Sequence, residues 1–163
     1  MNKTILIATD YSLESLSVLK KVLKEKETAN DGIKYNIMLV TGYDMGDSIR
    51  DLLFTTKTMI LNKVRTQEFY DACSIINNKY PNIINKIVFD VFTGSMQRAF
   101  NNYIEAANIE EAYFSSNLKT KARNGKFDLI PYIKKSKTLA IQDIHTEVFE
   151  AAPEKGRLAE VFI

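Results

Sequence analysis

The chain is short of the residues that most dedicated chemistry needs. It has one cysteine, Cys73, and one histidine, His145, among 163 residues. A single cysteine excludes an internal disulfide framework and any zinc site built on several thiolates, and it fits a reducing compartment. A single histidine excludes a histidine metal cluster and would leave a catalytic triad dependent on His145 alone. Three prolines and six glycines are too few for a collagen-like or low-complexity segment. Charge of one sign is also lacking. The net charge of +2 gives no field that would draw the whole chain to nucleic acid or to a membrane. No apolar run approaches the roughly 18 residues that cross a bilayer. Met1-Asn2-Lys3-Thr4 leads at once into an apolar segment, without the pattern of a signal peptide. The expectation is a cytoplasmic protein with no nucleic-acid and no membrane partner.

What is present is the balance of an ordinary globular domain, 45% hydrophobic and 26% charged. Ile5-Leu6-Ile7-Ala8 is a continuous apolar run, as in a strand buried on both faces of a parallel sheet. Thr9-Asp10-Tyr11-Ser12 supplies turn and cap chemistry, and Leu16, Leu19, Val22 and Leu23 follow at helical spacing. Asn30-Asp31-Gly32 breaks the chain before a second strand over 36–40. A long helical region is predicted from 48 to 80. Its apolar stripe changes phase, so a bend or a break belongs between Thr55 and Glu68. A third strand over 86–92 precedes a helix opened by Gly94 and Ser95. A fourth strand is predicted at 112–114, then a polar loop over 115–126, a short helix over 128–135 and a fifth strand over 138–144. Alternating strands and helices joined by right-handed crossovers predict an α/β fold, with a five-stranded parallel sheet, doubly wound, and helices on both faces.

Such folds bind ligands beyond the carboxyl ends of the strands, where strand order reverses. That rule selects Thr9, Asp10, Val40, Gly42, Thr93, Gly94, Ser115 and Ser116. Asp10 has two readings: a ligand contact, or a turn residue that accepts backbone N–H bonds without any ligand. Lys119, Lys121, Arg123, Lys126, Lys134, Lys135 and Lys137 face only Asp128 within one stretch, which reads as a solvated face or as an anion site. Cys73 stands at helical spacing with Phe69, Ala72 and Ile76 and reads as core. The stretch 145–163 forms a tail after a domain spanning 1–144. It ends on Leu158, Val161, Phe162 and Ile163 and is expected to pack on its own domain or on a second subunit.

The order of these pieces resembles the universal stress proteins. The opening Lys3-Thr4-Ile5-Leu6-Ile7-Ala8-Thr9-Asp10-Tyr11-Ser12 carries the resemblance, with the strand Ile37 to Val40. Gly94 and Ala106-Ala107-Asn108-Ile109 bound a similar third helix, and Tyr132-Ile133-Lys134-Lys135-Ser136 before Leu139-Ala140-Ile141 matches the last helix and strand. The resemblance implies a cytoplasmic, usually dimeric protein from a family whose members either bind ATP or do not. In binding members an aspartate in the place of Asp10 meets the ribose, and a residue in the place of Val40 lies by the adenine. A Gly-x2-Gly-x9-Gly-Ser/Thr loop after the fourth strand holds the phosphates. Here Phe114-Ser115-Ser116-Asn117-Leu118 stands where the first two glycines belong, and Gly125 is followed by Lys126-Phe127 instead of a hydroxyl residue. Ser115, Ser116, Asn117, Gly125 and Lys126 thus complete the candidate nucleotide site.

Other chemistries fail on their residues. A pyrophosphatase loop needs glycines after the first strand, where Thr9-Asp10-Tyr11 stands. A phosphoacceptor domain needs an aspartate ending the third strand and a lysine ending the fifth. Ser95 lacks the Gly-x-Ser-x-Gly elbow of a hydrolase and reads instead as a helix cap. The expectation is a non-enzymatic, stress-type regulatory protein without a cofactor, acting as a homodimer and through an unknown protein partner. The alternative is an adenine-nucleotide switch that takes ATP through Asp10, Val40 and the basic loop at 115–126.

Overall fold

A computed structural model of the chain describes residues 2–46, 48–118 and 125–146. The predicted tail lies almost wholly outside the described residues, as do Lys119, Lys121 and Arg123 of the basic stretch. The elements are β1 (Asn2–Ala8), α1 (Leu16–Ala29), β2 (Lys34–Tyr43), α2 (Ile49–Phe54), α3 (Lys57–Val64), α4 (Gln67–Lys79) and β3 (Ile84–Phe92). There follow α5 (Gln97–Ala106), β4 (Ile109–Phe114), β5 (Lys126–Phe127), α6 (Ile130–Lys135) and β6 (Ala140–Asp143).

Strands β3-β2-β1-β4-β6 pair in that order, all parallel. This is the predicted five-stranded sheet. A sixth, two-residue strand was not expected: β5 pairs antiparallel with the end of β2, Gly42 opposite Phe127 and Tyr43 opposite Lys126. The two-residue period of β1 divides its side chains between two cores. Ile5 and Ile7 face Leu19, Leu23, Ile60 and Phe69 of α1, α3 and α4, while Leu6 faces Phe100, Ile104 and Ile133 of α5 and α6. Helices therefore cover both faces, and the central strands β1 and β2 read as continuous apolar runs because their middle residues are buried on both sides, whereas the edge strand β6 is exposed.

The long helical region between β2 and β3 is three helices where one bend or a break into two was expected, and both breaks fall inside the predicted window. Thr56 and Thr66 cause them. The N–H groups of Met59 and Phe69 donate to the Oγ1 atoms of Thr56 and Thr66, at 3.3 and 3.2 Å. Each threonine thus begins a helix of its own. Two local expectations fail. Ser95 does not cap α5, whose N-cap is Met96 with no side-chain bond. Ser12 caps nothing with its side chain either, because a 3₁₀ turn over Leu13–Ser15 intervenes before α1. Cys73 is buried in the first core, and burial pushes its thiol pKa up to about 12. It is packing, not a nucleophile.

Candidate functional site

The site predicted from topology lies where β1 and β2 reach their carboxyl ends and strand order reverses between β1 and β4. The turn after β1 is held by its own bonds. The Thr9 N–H donates to the Val40 carbonyl at 3.0 Å, and Thr9 Oγ1 lies 2.6 Å from Ser15 Oγ and accepts the Tyr11 N–H at 3.0 Å. Asp10 Oδ1 accepts the Ser12 N–H at 2.9 Å and also the Ser12 hydroxyl. Of the two readings of Asp10, the turn role is the one these bonds display.

Tyr11 sits in the left-handed region, at φ 61°, which costs a non-glycine residue roughly 1–2 kcal/mol. That backbone turn aims its ring inward. The ring is buried and stands edge-on to Phe69 with centroids 5.1 Å apart. Its hydroxyl lies 2.7 Å from the Leu39 carbonyl and 2.8 Å from the Asp90 carbonyl, and it accepts the Asp90 N–H at 3.1 Å. The phenol thus bridges β2 and β3. Burial keeps its pKa far above the ordinary tyrosine value, so it remains a donor.

β5 closes the site from above. Lys126 Nζ donates to the Asp10 carbonyl at 2.9 Å, and the Asp44 N–H donates to the Gly125 carbonyl at 2.8 Å. The Phe127 ring lies against Gly42 so closely that a Cβ there would fall 2.4 Å from its Cε2. Gly42 is therefore required by close approach, not by its φ. Phe127 joins an aromatic cluster with Phe92 and Tyr132, at centroid distances of 6.4 and 6.0 Å. Val40 is fully buried.

The segment expected to hold phosphate turns the other way. Ser115 Oγ bonds Asn117 Oδ1 and lies 3.2 Å from Thr146 Oγ1, while Asn117 bonds both the N–H and the carbonyl of Thr146. Ser116 donates to Asp143 through its N–H at 2.9 Å and its hydroxyl at 2.5 Å. These groups fasten the exit of β4 to the exit of β6. Asp143 is a carboxylate where an anion was expected, and its charge opposes one.

Ser116 has a measurable consequence. Its hydroxyl first, then its N–H, hold the Asp143 carboxyl below the ordinary aspartate range. A depressed folded pKa adds stability above the unfolded value, and that stability is lost as pH falls through the folded value. Ser116→Ala is expected to raise the Asp143 pKa toward the ordinary range, read as a shifted carboxyl titration by carbon NMR. An unmoved titration would remove Ser116 as the cause.

The structure thus gathers Thr9, Asp10, Val40, Gly125 and Lys126 around one crevice. Ser115, Ser116 and Asn117 stand toward β6. Gly94 stands apart, in a small cavity of about 220 Å³ with Asp44, Thr93, Ser95, Phe127 and Tyr132. Sequence reasoning misses the placement of Tyr11, in the core on the α1 and α4 side of the sheet, and of Phe127, packed on the α5 and α6 side against Gly42. The available signal was a bulky residue in a strand-to-helix turn where glycine has no steric cost. Among the described residues no group of three or more His, Cys, Asp and Glu could hold a metal ion. A second cluster joins Asp90 to Tyr103, whose hydroxyl donates to Oδ2 at 2.7 Å, and to Lys57 at 3.0 Å. Burial, and then the Asp90 charge, push the Tyr103 phenol far above its ordinary range. It acts as a fixed donor and not as a base.

No protein-family model matches the chain. No curated protein matches it in sequence. Solved structures do resemble it. A universal stress protein family member from Burkholderia pseudomallei is 10% identical, with a TM-score of 0.52 over 87% of this chain and 95% of that one. A universal stress protein family protein from Arabidopsis thaliana, solved with AMP bound, is 11% identical, with a TM-score of 0.53 over 94% of this chain and 98% of that one. The fold is universal-stress-protein-like. Among the described residues no helix is long and apolar enough to cross a membrane.

Proposed function

We propose that this chain is a non-enzymatic regulatory protein on a universal-stress-like fold, working through contacts with copies of itself and with other proteins. One observation carries the reading: the crevice at the ends of β1 and β2 is occupied by the chain's own groups. Tyr11 lies beneath it, Phe127 lies on Gly42, and Lys126 holds the Asp10 carbonyl. A nucleotide held by Asp10 and Val40 would have to displace Lys126 from the Asp10 carbonyl and Phe127 from Gly42. The donors that would meet phosphate are spent on Asp143 and Thr146.

The test is a thermal melt of the purified protein with ATP, AMP and inorganic phosphate at millimolar concentration. Ligand that binds only the folded state adds about 2.7 kcal/mol at a hundredfold excess over its dissociation constant. The expected outcome is an unmoved melting temperature with all three. A saturable rise with ATP would sink this reading.

A second reading is favoured by the AMP held by the Arabidopsis protein of the same fold. In it the chain is an adenine-nucleotide switch, and β5 leaves Gly42 to admit the base. Two variants separate the readings. Under the switch, Phe127→Ala tightens nucleotide binding by clearing the crevice, and Asp10→Ala weakens it. Under the preferred reading neither variant binds.

A further inference from the structure

At the end of the sheet away from the crevice, the amino ends of β1 and β4 open into a groove of about 1,120 Å³. Helix α5 forms one wall with Gln97, Asn101 and Glu105, which share a face by their spacing of four. The end of α6 and the residues after it form the other wall, with Lys135 and Lys137. The buried side chains of Ile104 and Ile109 supply an apolar floor.

The polar groups of the crevice are spent on one another, and those of the groove are not. Gln97 Nε2 donates to Asn101 Oδ1 at 2.9 Å and to the Tyr132 carbonyl at 3.0 Å, which fixes which end of the amide is oxygen. Gln97 Oε1 is then buried with no hydrogen-bond partner among the described residues, a cost that a donor from outside would remove. Gln97 is only half-buried and lines the groove. Its terminal torsion is soft, so a small rotation presents the oxygen to a ligand. Asn101 gives its oxygen to the bond with Gln97, and its amide nitrogen remains to donate. Lys135 and Lys137 line the same groove as Glu105 and Glu110, yet no ion pair joins them among the described residues.

Two acids and two bases that share a groove without meeting favour a ligand that carries both charges. The wall on α5 narrows the class. Four residues of helix rise about 6 Å, so Gln97, Asn101 and Glu105 offer acceptor, donor and acceptor at that interval. An extended peptide repeats its main-chain N–H and C=O groups along one edge every two residues, at about 6.6 Å. The two intervals agree within the reach of a side chain. From Gln97 to Glu105 the wall is about 12 Å long, the length of roughly four extended residues. Among the described residues no aromatic ring lines the groove, so it lacks the stacking face that a nucleobase takes.

We infer that this groove binds a short peptide segment in extended form, its main chain along Gln97, Asn101 and Glu105 and its charged groups held by Lys135, Lys137 and Glu110. This rests on the protein-contact reading above, for which it supplies a surface and a ligand class.

The test is nitrogen–proton NMR of the whole chain, titrated with tetraalanine up to about 10 mM, weaker than most specific binding. Recognition through the main chain is tolerant of sequence, so this peptide is a fair probe. Saturable shifts are expected in the main-chain signals of 97–110 and 135–138. The variant Lys135→Glu, Lys137→Glu is expected to bind roughly tenfold more weakly, as is tetraalanine with acetylated and amidated ends. Both lysines are exposed, so the variant's spectrum away from the groove is expected to match that of the unaltered chain. No saturable shift, or shifts centred on another surface, would overturn the site. Equal binding of free glycine would overturn the peptide in favour of an amino acid, and binding of maltotriose without tetraalanine would do so in favour of a sugar. None of these failures touches the protein-contact reading itself, which the thermal melt with ATP tests separately.

Discussion

Tyr11→Ala is expected to destabilise the fold by about 3–5 kcal/mol, the loss usual for a buried aromatic ring. Three costs combine. The ring leaves a cavity against Phe69 and Phe89. The Asp90 N–H loses the oxygen it bonds at 3.1 Å. Nothing compensates at the Leu39 and Asp90 carbonyls unless water enters. Alanine also stays in the left-handed region at φ 61°, so no backbone strain is relieved. Urea denaturation followed by circular dichroism measures the loss, and Tyr11→Phe divides it. Phenylalanine keeps the ring and removes only the oxygen, so it is expected to cost about 1–3 kcal/mol. If Tyr11→Phe were neutral, the bridge between β2 and β3 would be geometric without being energetic. The stability of the sheet edge would then rest on the ring alone.

Gly42→Ala is expected to cost about 1–3 kcal/mol through overpacking. The added Cβ would fall 2.4 and 2.5 Å from Cε2 and Cδ2 of Phe127, and 2.7 Å from its carbonyl oxygen. A ring can rotate away, but the carbonyl belongs to the backbone of β5, so the strand itself must move off β2. The bridge between Gly42 and Phe127 is lost with it, and Lys126 is drawn from the Asp10 carbonyl. Hydrogen exchange distinguishes this local event from general loosening: faster exchange is expected around 125–127 and 42–44, with the centres of β1 and β2 unchanged. Uniform acceleration would show that β5 is integral to the core and is no cover upon it. Double substitution with Phe127→Ala is expected to recover part of the cost, because the ring's share of the clash disappears while the contact with the backbone carbonyl of residue 127 remains.

Both variants act on the crevice, where sequence and structure diverge most. Asp10 and Val40 reach the predicted place because the ends of β1 and β2 follow directly from two apolar runs, and a parallel register leaves little freedom to those ends. Ser115, Ser116 and Asn117 also follow their strand as predicted. Their partners, Asp143 and Thr146, stand 27 to 31 residues away, and no local pattern announces such a pairing. Phe127 is similar. It follows a polar stretch of sequence, belongs to no periodic run, and becomes a strand residue only because Gly42, 85 positions earlier, leaves room for its ring.

The sequence by itself determined the alternation of strands and helices, and with it the parallel doubly wound sheet. Period and apolar run length are local properties of the chain, and right-handed crossovers limit how such units stack. It determined the broken helical stretch as well, since Thr56 and Thr66 cap within three residues of themselves. Tertiary structure alone decided what fills the crevice and what stays bare. Whether Asp10 meets a ligand or its own Ser12, whether Tyr11 points into the sheet, and whether the apolar side of α2 finds a core depend on distances between segments far apart in the chain. Such distances are set by packing. A hydrophobic side chain is written the same way in the sequence whether its neighbours reach it or not.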